Sequence, residues 1–223
     1  MNKLEKILYV LSWIIKINLA ILFVLSVYYQ QYQNTFLVSL ALIISFLPIF
    51  VEKNYKITLP LEFELLILFF TYSALILGEI EQYYIKYWWW DLLLHTISGL
   101  IFGLVGFLII FVLNDNKKVK LHLAKRFVAI FAFTFSLSMG ALWEIIEFVI
   151  DQVFDLNMQK SGIVDTMTDL IVDTIGALII SISSYYYILK VKVPVFYHFI
   201  SNLVEKNPHI FRRKKNKDVK NEN

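Results

Sequence analysis

The sequence predicts an all-α polytopic membrane protein, a bundle of six transmembrane helices, and three observations carry that prediction. First, 58% of the 223 residues are hydrophobic and 17% charged, against about 25% charged in a typical soluble domain. Second, six stretches approach the roughly 20 apolar residues that a helix needs to cross a bilayer. Third, basic residues collect in alternate connecting segments, as expected when those segments face the cytoplasm. This composition excludes a soluble enzyme and a disordered chain. Cysteine is absent, which removes disulfides, thiolate metal sites and cysteine nucleophiles.

The six predicted spans are Leu8–Tyr28, Thr35–Val51, Leu59–Gly78, Trp89–Leu113, Phe127–Ile150 and Thr166–Leu189. The first follows Lys3 and Lys6 like a signal peptide. Lys16 interrupts its apolar run, no small-residue cleavage site follows, and it reads as a retained span. Pro60 is expected in the first turn of span three, where Glu62 and Glu64 suit the positive helix end. Residues 1–190 read as one transmembrane domain. Residues 191–223 read as a cytoplasmic basic tail, with Pro194–Phe211 either a surface amphipathic helix or solvated, before the basic run Arg212–Lys215.

All but Lys16, Lys86 and Lys160 of the 21 basic residues fall at the termini, between spans two and three, or between spans four and five. Both termini are therefore expected in the cytoplasm of a bacterial cell with an inner membrane. Tyr28, Tyr29, Tyr32, Tyr83, Tyr84, Tyr87 and the run Trp88, Trp89, Trp90 are expected in outer headgroup belts, with Trp90 a candidate rim residue.

The informative residues are ionisable groups inside spans four to six. Asp91, His95, Gly99 and Gly103 recur every four residues and share one helix face. Ser136, Gly140, Glu144, Glu147 and Asp151 form a face of span five. Asp165, Asp169 and Asp173 recur at four-residue steps in span six. With the predicted orientation, all the acids lie in the outer half of the membrane. At a 1.5 Å rise per residue, Asp173 is about 12 Å deeper than Asp165.

Asp91 and Asp165 are also plausible helix N-caps, and Asp151 and Asp155 plausible solvated loop residues. Capping does not explain His95, Glu144, Glu147, Asp169 or Asp173. Each intramembrane charge costs about 2.5–3.5 kcal/mol on insertion scales, and like charges together must be neutralised by protons or cations.

The expected site is a metal centre of Asp91, His95, Glu144, Glu147, Asp169 and Asp173, with Asp151, Asp165 and Trp90 as rim. The divalent ion would be Mg²⁺, Mn²⁺ or Zn²⁺, and no organic cofactor is expected. Three chemistries fit: cation binding alone, a metal-dependent hydrolase or transferase on a lipid or cell-envelope phosphate, and a proton- or cation-coupled transporter. Membrane lipid is the expected surrounding, with a lipid or small cationic substrate. No phosphate loop or dinucleotide fingerprint occurs, and the basic tail does not suffice for a nucleic-acid partner.

Across residues 60–185 the chain resembles the YjdF-like family of bacterial inner-membrane proteins. The likeness rests on Trp88, Trp89, Trp90, Asp91, His95 and Gly99, on Trp143, Glu144, Glu147 and Asp151, and on Asp165, Asp169, Asp173, Gly176 and Ala177. It implies a multi-span inner-membrane protein and no particular activity. A more distant resemblance is to VanZ-like membrane proteins, which also show a histidine, a glutamate and an aspartate in successive spans. Here Asp173 stands where they usually have asparagine and no arginine precedes Asp165, so their resistance function is not carried over.

Overall fold

The longest helices follow the predicted apolar stretches, with boundaries shifted by a few residues. The computed structural model describes residues 3–115, 123–155, 158–159, 162–191 and 194–210. Helices α1 (Lys3–Tyr28), α2 (Tyr32–Ser45), α3 (Leu47–Tyr55), α4 (Leu61–Thr71), α5 (Tyr83–Lys86), α6 (Trp90–Asp115), α7 (Lys125–Phe154), α8 (Ile163–Ile188) and α9 (Pro194–Lys206) are the helices among the described residues, apart from a π-helical stretch, Tyr72–Ile80, that continues α4.

Among the described residues, five segments are long and apolar enough to cross a membrane: α1, α2 with α3, α4 with its π-helical extension, α6 and α7. The second is broken at Phe46 because Pro48, in the first turn of α3, has no N–H to donate and crowds the preceding turn. Pro60 is the N-cap of α4, just outside the helix rather than in its first turn. The sixth expected span corresponds to α8, which is 26 residues long but carries three aspartates in its first half and is not among the five.

The helices form two groups. One is α6, α7 and α8, each packed on the other two; the other is α1, α2 and α4, joined to the first where α4 meets α6. In the second group Leu19, Val38, Ala41 and Ile76 form a buried cluster. The opposite face of α1 presents Ile7, Val10, Ile14, Ile17, Ile21 and Val24, all more than half exposed. A continuous apolar stripe of that size suits hydrocarbon rather than water.

Below the acidic end of the first group, Leu104, Phe107 and Ile110 of α6 pack on Val128 and Ala132 of α7 and on Phe63. Phe196 and Ile200 of α9 join this cluster. The stretch expected either on the surface or in solvent is thus folded onto the bundle. Fully buried Asn207 secures its end: its Oδ1 accepts from the Thr58 N–H, and its Nδ2 donates to the carbonyls of Thr58 and Leu203. The basic run Arg212–Lys215 lies outside the described residues.

Candidate metal centre

The start of α6, the end of α7 and the start of α8 meet because α7 runs antiparallel to both neighbours. Glycines set how closely they meet. A Cβ on Gly99 would overlap the Asp173 carbonyl, one on Gly140 its carboxylate, and one on Gly176 the carbonyl of Thr96. Ser136 Oγ donates to the Gly99 carbonyl at 2.7 Å and ties α7 to α6 at the same level. Small residues here allow the backbones to approach and bring three polar faces to one place.

His95 is at the centre and is buried. Its Nδ1 lies 3.3 Å from Asp173 Oδ2. Its Nε2 faces the other way, 3.8 Å from Asp91 Oδ1 and 3.9 Å from Glu144 Oε1. Asp173 Oδ1 lies 2.9 Å from Ser98 Oγ, a hydroxyl shared between this carboxylate and the His95 carbonyl at 2.8 Å. Glu144 is 4% exposed, and among the described residues neither of its carboxylate oxygens has a hydrogen-bond partner.

Two sets of candidate ligand atoms are close enough to share an ion. His95, Glu144 and Asp169 each offer one atom within 4.8 Å of the others, and so do Asp91, Asp165 and Asp169. Asp169 belongs to both. One imidazole with carboxylates is a donor set suited to Zn²⁺ or Mn²⁺.

Asp91, Asp165 and Asp169 line a cavity of about 670 Å³, together with Tyr84, Ile85, Lys86, Trp88, Leu92 and Thr168. Burial, and next the charge of Asp91, push the Tyr84 phenol above its ordinary pKa, so it stays protonated. Lys86 turns partly away, donating to the Glu81 carbonyl at 2.6 Å.

The remaining expected residues are placed elsewhere. Glu147 is absent from both ligand sets and accepts from Trp143 Nε1 at 2.8 Å. Asp173 is spent on His95 and Ser98. Asp151 accepts the backbone N–H groups of Met158 and Gln159 and shapes the α7–α8 connection. Asp165 and Asp91 lie in the first turns of their helices, and the N-cap of α8 is Gly162. Trp90 packs edge-on against Tyr83, with its indole N–H buried and unpartnered.

Sequence reading missed Ser98 and Gln159, whose Nε2 donates to Thr166 Oγ1 at 2.8 Å, and placed Tyr84 only in the aromatic belt. The signal for Ser98 was its position three residues after His95 on the same face; Gln159 gave none.

Residues 11–190 match a family described as predicted membrane protein (DUF2238). An uncharacterised protein of Thermotoga maritima is 30% identical over 132 residues, which are 59% of this chain and 66% of that protein. No solved structure matches the chain. These matches name neither of the two families that the motifs resemble.

Proposed function

Because the chain belongs to this DUF2238 family of predicted membrane proteins, we propose that its role is exercised at an intramembrane site that binds a divalent metal ion. The ligands in this reading are His95, Glu144 and Asp169, with Asp91 and Asp165 completing the centre toward the cavity. The carrying observation is Glu144: buried, at a group of convergent ligand atoms, with neither oxygen hydrogen-bonded among the described residues. A carboxylate so placed needs a cation or a proton, and His95 and Asp169 supply the rest of a cation's coordination.

The site faces outward in an inner membrane, with both termini cytoplasmic, on the basic-residue bias of the connecting segments. Helix α8 is the sixth span. Asp169, Asp173, Gly176, Ala177 and Ser184 are buried, while Ile171, Ile175, Leu178, Ile179 and Ile182 are exposed. That is the inside-out polarity of a helix in lipid whose acids face its neighbours. Within the wider family, the YjdF-like resemblance stands on the three acidic motifs.

A second reading, metal-dependent hydrolysis or transfer on a lipid or envelope phosphate, is favoured by the cavity beside the ligands. A bound ion there can polarise a phosphoryl oxygen or activate water.

The test is metal analysis of detergent-purified protein, with thermal unfolding in Zn²⁺, Mn²⁺, Mg²⁺ and chelator. The expected result is stabilisation by one ion in the wild type and none in Glu144→Gln or Asp169→Asn, both variants still inserting. Equal stability of the wild type with ion and with chelator overturns the metal reading and favours protonated carboxylates, the transporter chemistry.

A further inference from the structure

Two of the buried carboxylates facing His95 are used differently. Neither oxygen of Glu144 is hydrogen-bonded among the described residues. Asp173, 1% exposed, has one oxygen at His95 Nδ1 and the other accepting from Ser98 Oγ. It also lies against Gly140, where any side chain would overlap its carboxylate. Resting on the metal-site reading, we propose that Asp173 is a positioning residue and not a ligand: it holds His95 by Nδ1, so that Nε2 is presented to the ion shared with Glu144 and Asp169.

The chemistry follows from what each group can do. An ionised carboxylate only accepts hydrogen bonds, so the proton between the two belongs to Nδ1. Nε2 then keeps its lone pair, and it is the nitrogen that points toward Asp91 and Glu144. A carboxylate behind a ligating imidazole fixes ring orientation and tautomer and raises its basicity. Ser98 fixes the carboxylate in turn, from the same helix as His95. The ring is therefore held in place before any ion arrives, which lowers the ordering cost of binding.

The test uses the full chain in detergent, Zn²⁺ alone as the probe, and isotope-labelled histidine. The expected wild-type spectrum shows His95 bound through Nε2 with the proton on Nδ1. Asp173→Ala should weaken Zn²⁺ binding by about 10–100-fold, the usual loss for such a partner. Asp173→Asn should restore most of it, since the amide oxygen still accepts from Nδ1–H and its NH₂ can donate to Ser98 Oγ.

A ligand would behave otherwise. Asp173→Asn as damaging as Asp169→Asn, or Zn²⁺ on Nδ1, overturns the proposal. Should Asp173→Ala not fold, Ser98→Ala gives the second comparison: a smaller loss of affinity supports positioning and an unchanged affinity opposes it. If the wild type binds none of Zn²⁺, Mn²⁺ and Mg²⁺, the metal reading fails by itself. The metal-free protein at alkaline pH then decides the role of Asp173: neutral His95 protonated on Nδ1 upholds it, and protonation on Nε2 overturns it.

Discussion

Lys16 Nζ lies 2.6 Å from Glu64 Oε1, joining α1 to α4 inside the second helix group. Ser12 Oγ donates to the same oxygen at 2.6 Å, and the rings of Trp13 and Phe46 flank the ammonium at 5.6 Å. The lysine that interrupts the first span thus has a partner, and Glu64 does more than favour a helix terminus. Removing one member leaves a charge in a low-dielectric setting. Glu64→Ala is expected to destabilise the protein by about 3 kcal/mol, and the exchanged pair Lys16→Glu with Glu64→Lys to recover part of the loss. Denaturant unfolding in detergent measures both; a swap no better than Glu64→Ala would deny the pair an energetic role.

Orientation is tested by reporter fusions. Fusions at Lys53 and Lys118 should read cytoplasmic and one at Asn157 extracytoplasmic, following the charge bias. A cytoplasmic reading at Asn157 would place the acidic site on the other side of the membrane.

Gly140→Ala inserts a methyl group against the Asp173 carboxylate. Overpacking of this kind costs typically about 1–3 kcal/mol. The expected outcome is a lower unfolding midpoint together with weaker Zn²⁺ binding, because the displaced carboxylate releases His95. An alanine variant with wild-type affinity would show that the helix spacing at Gly140 does not control the site.

Asn207→Ala removes the side chain that bonds to both backbone groups of Thr58. The buried donor and acceptors left behind should cost on the order of 1–3 kcal/mol. Limited proteolysis should also cleave the chain after α8 faster in this variant. Unchanged cleavage and stability would mean that α9 is held by its other contacts, the buried Phe196, Ile200 and Leu203 and the pairing of Lys206 with Glu5.

Ion binding should weaken in acid. Carboxylate and imidazole ligands must be deprotonated to bind, so binding releases protons, and affinity falls by up to about tenfold per pH unit for each proton released. The Zn²⁺-induced rise in unfolding temperature should shrink as pH falls, until wild type and Glu144→Gln coincide. A rise that is constant across the acid range would exclude ligation by these groups.

The long apolar stretches, the basic bias and the three acidic faces were legible in the sequence, because each is a pattern along one segment. A four-residue step places Asp91 in line with His95 and Asp165 in line with Asp169 whatever surrounds them. Periodicity says nothing, however, about the rotation or depth of one helix against another. Those came from the contacts at Gly99, Gly140 and Gly176, and they decided which acids share a point. They put Asp169 in both ligand sets and turned Asp173 to His95 and Ser98, while Glu147 is left to Trp143. The pairing of Lys16 with Glu64 and the anchoring of α9 through Asn207 were equally invisible, since each joins residues far apart in the chain. One helix's own geometry is local and readable; the meeting of side chains from several helices depends on how all of them pack.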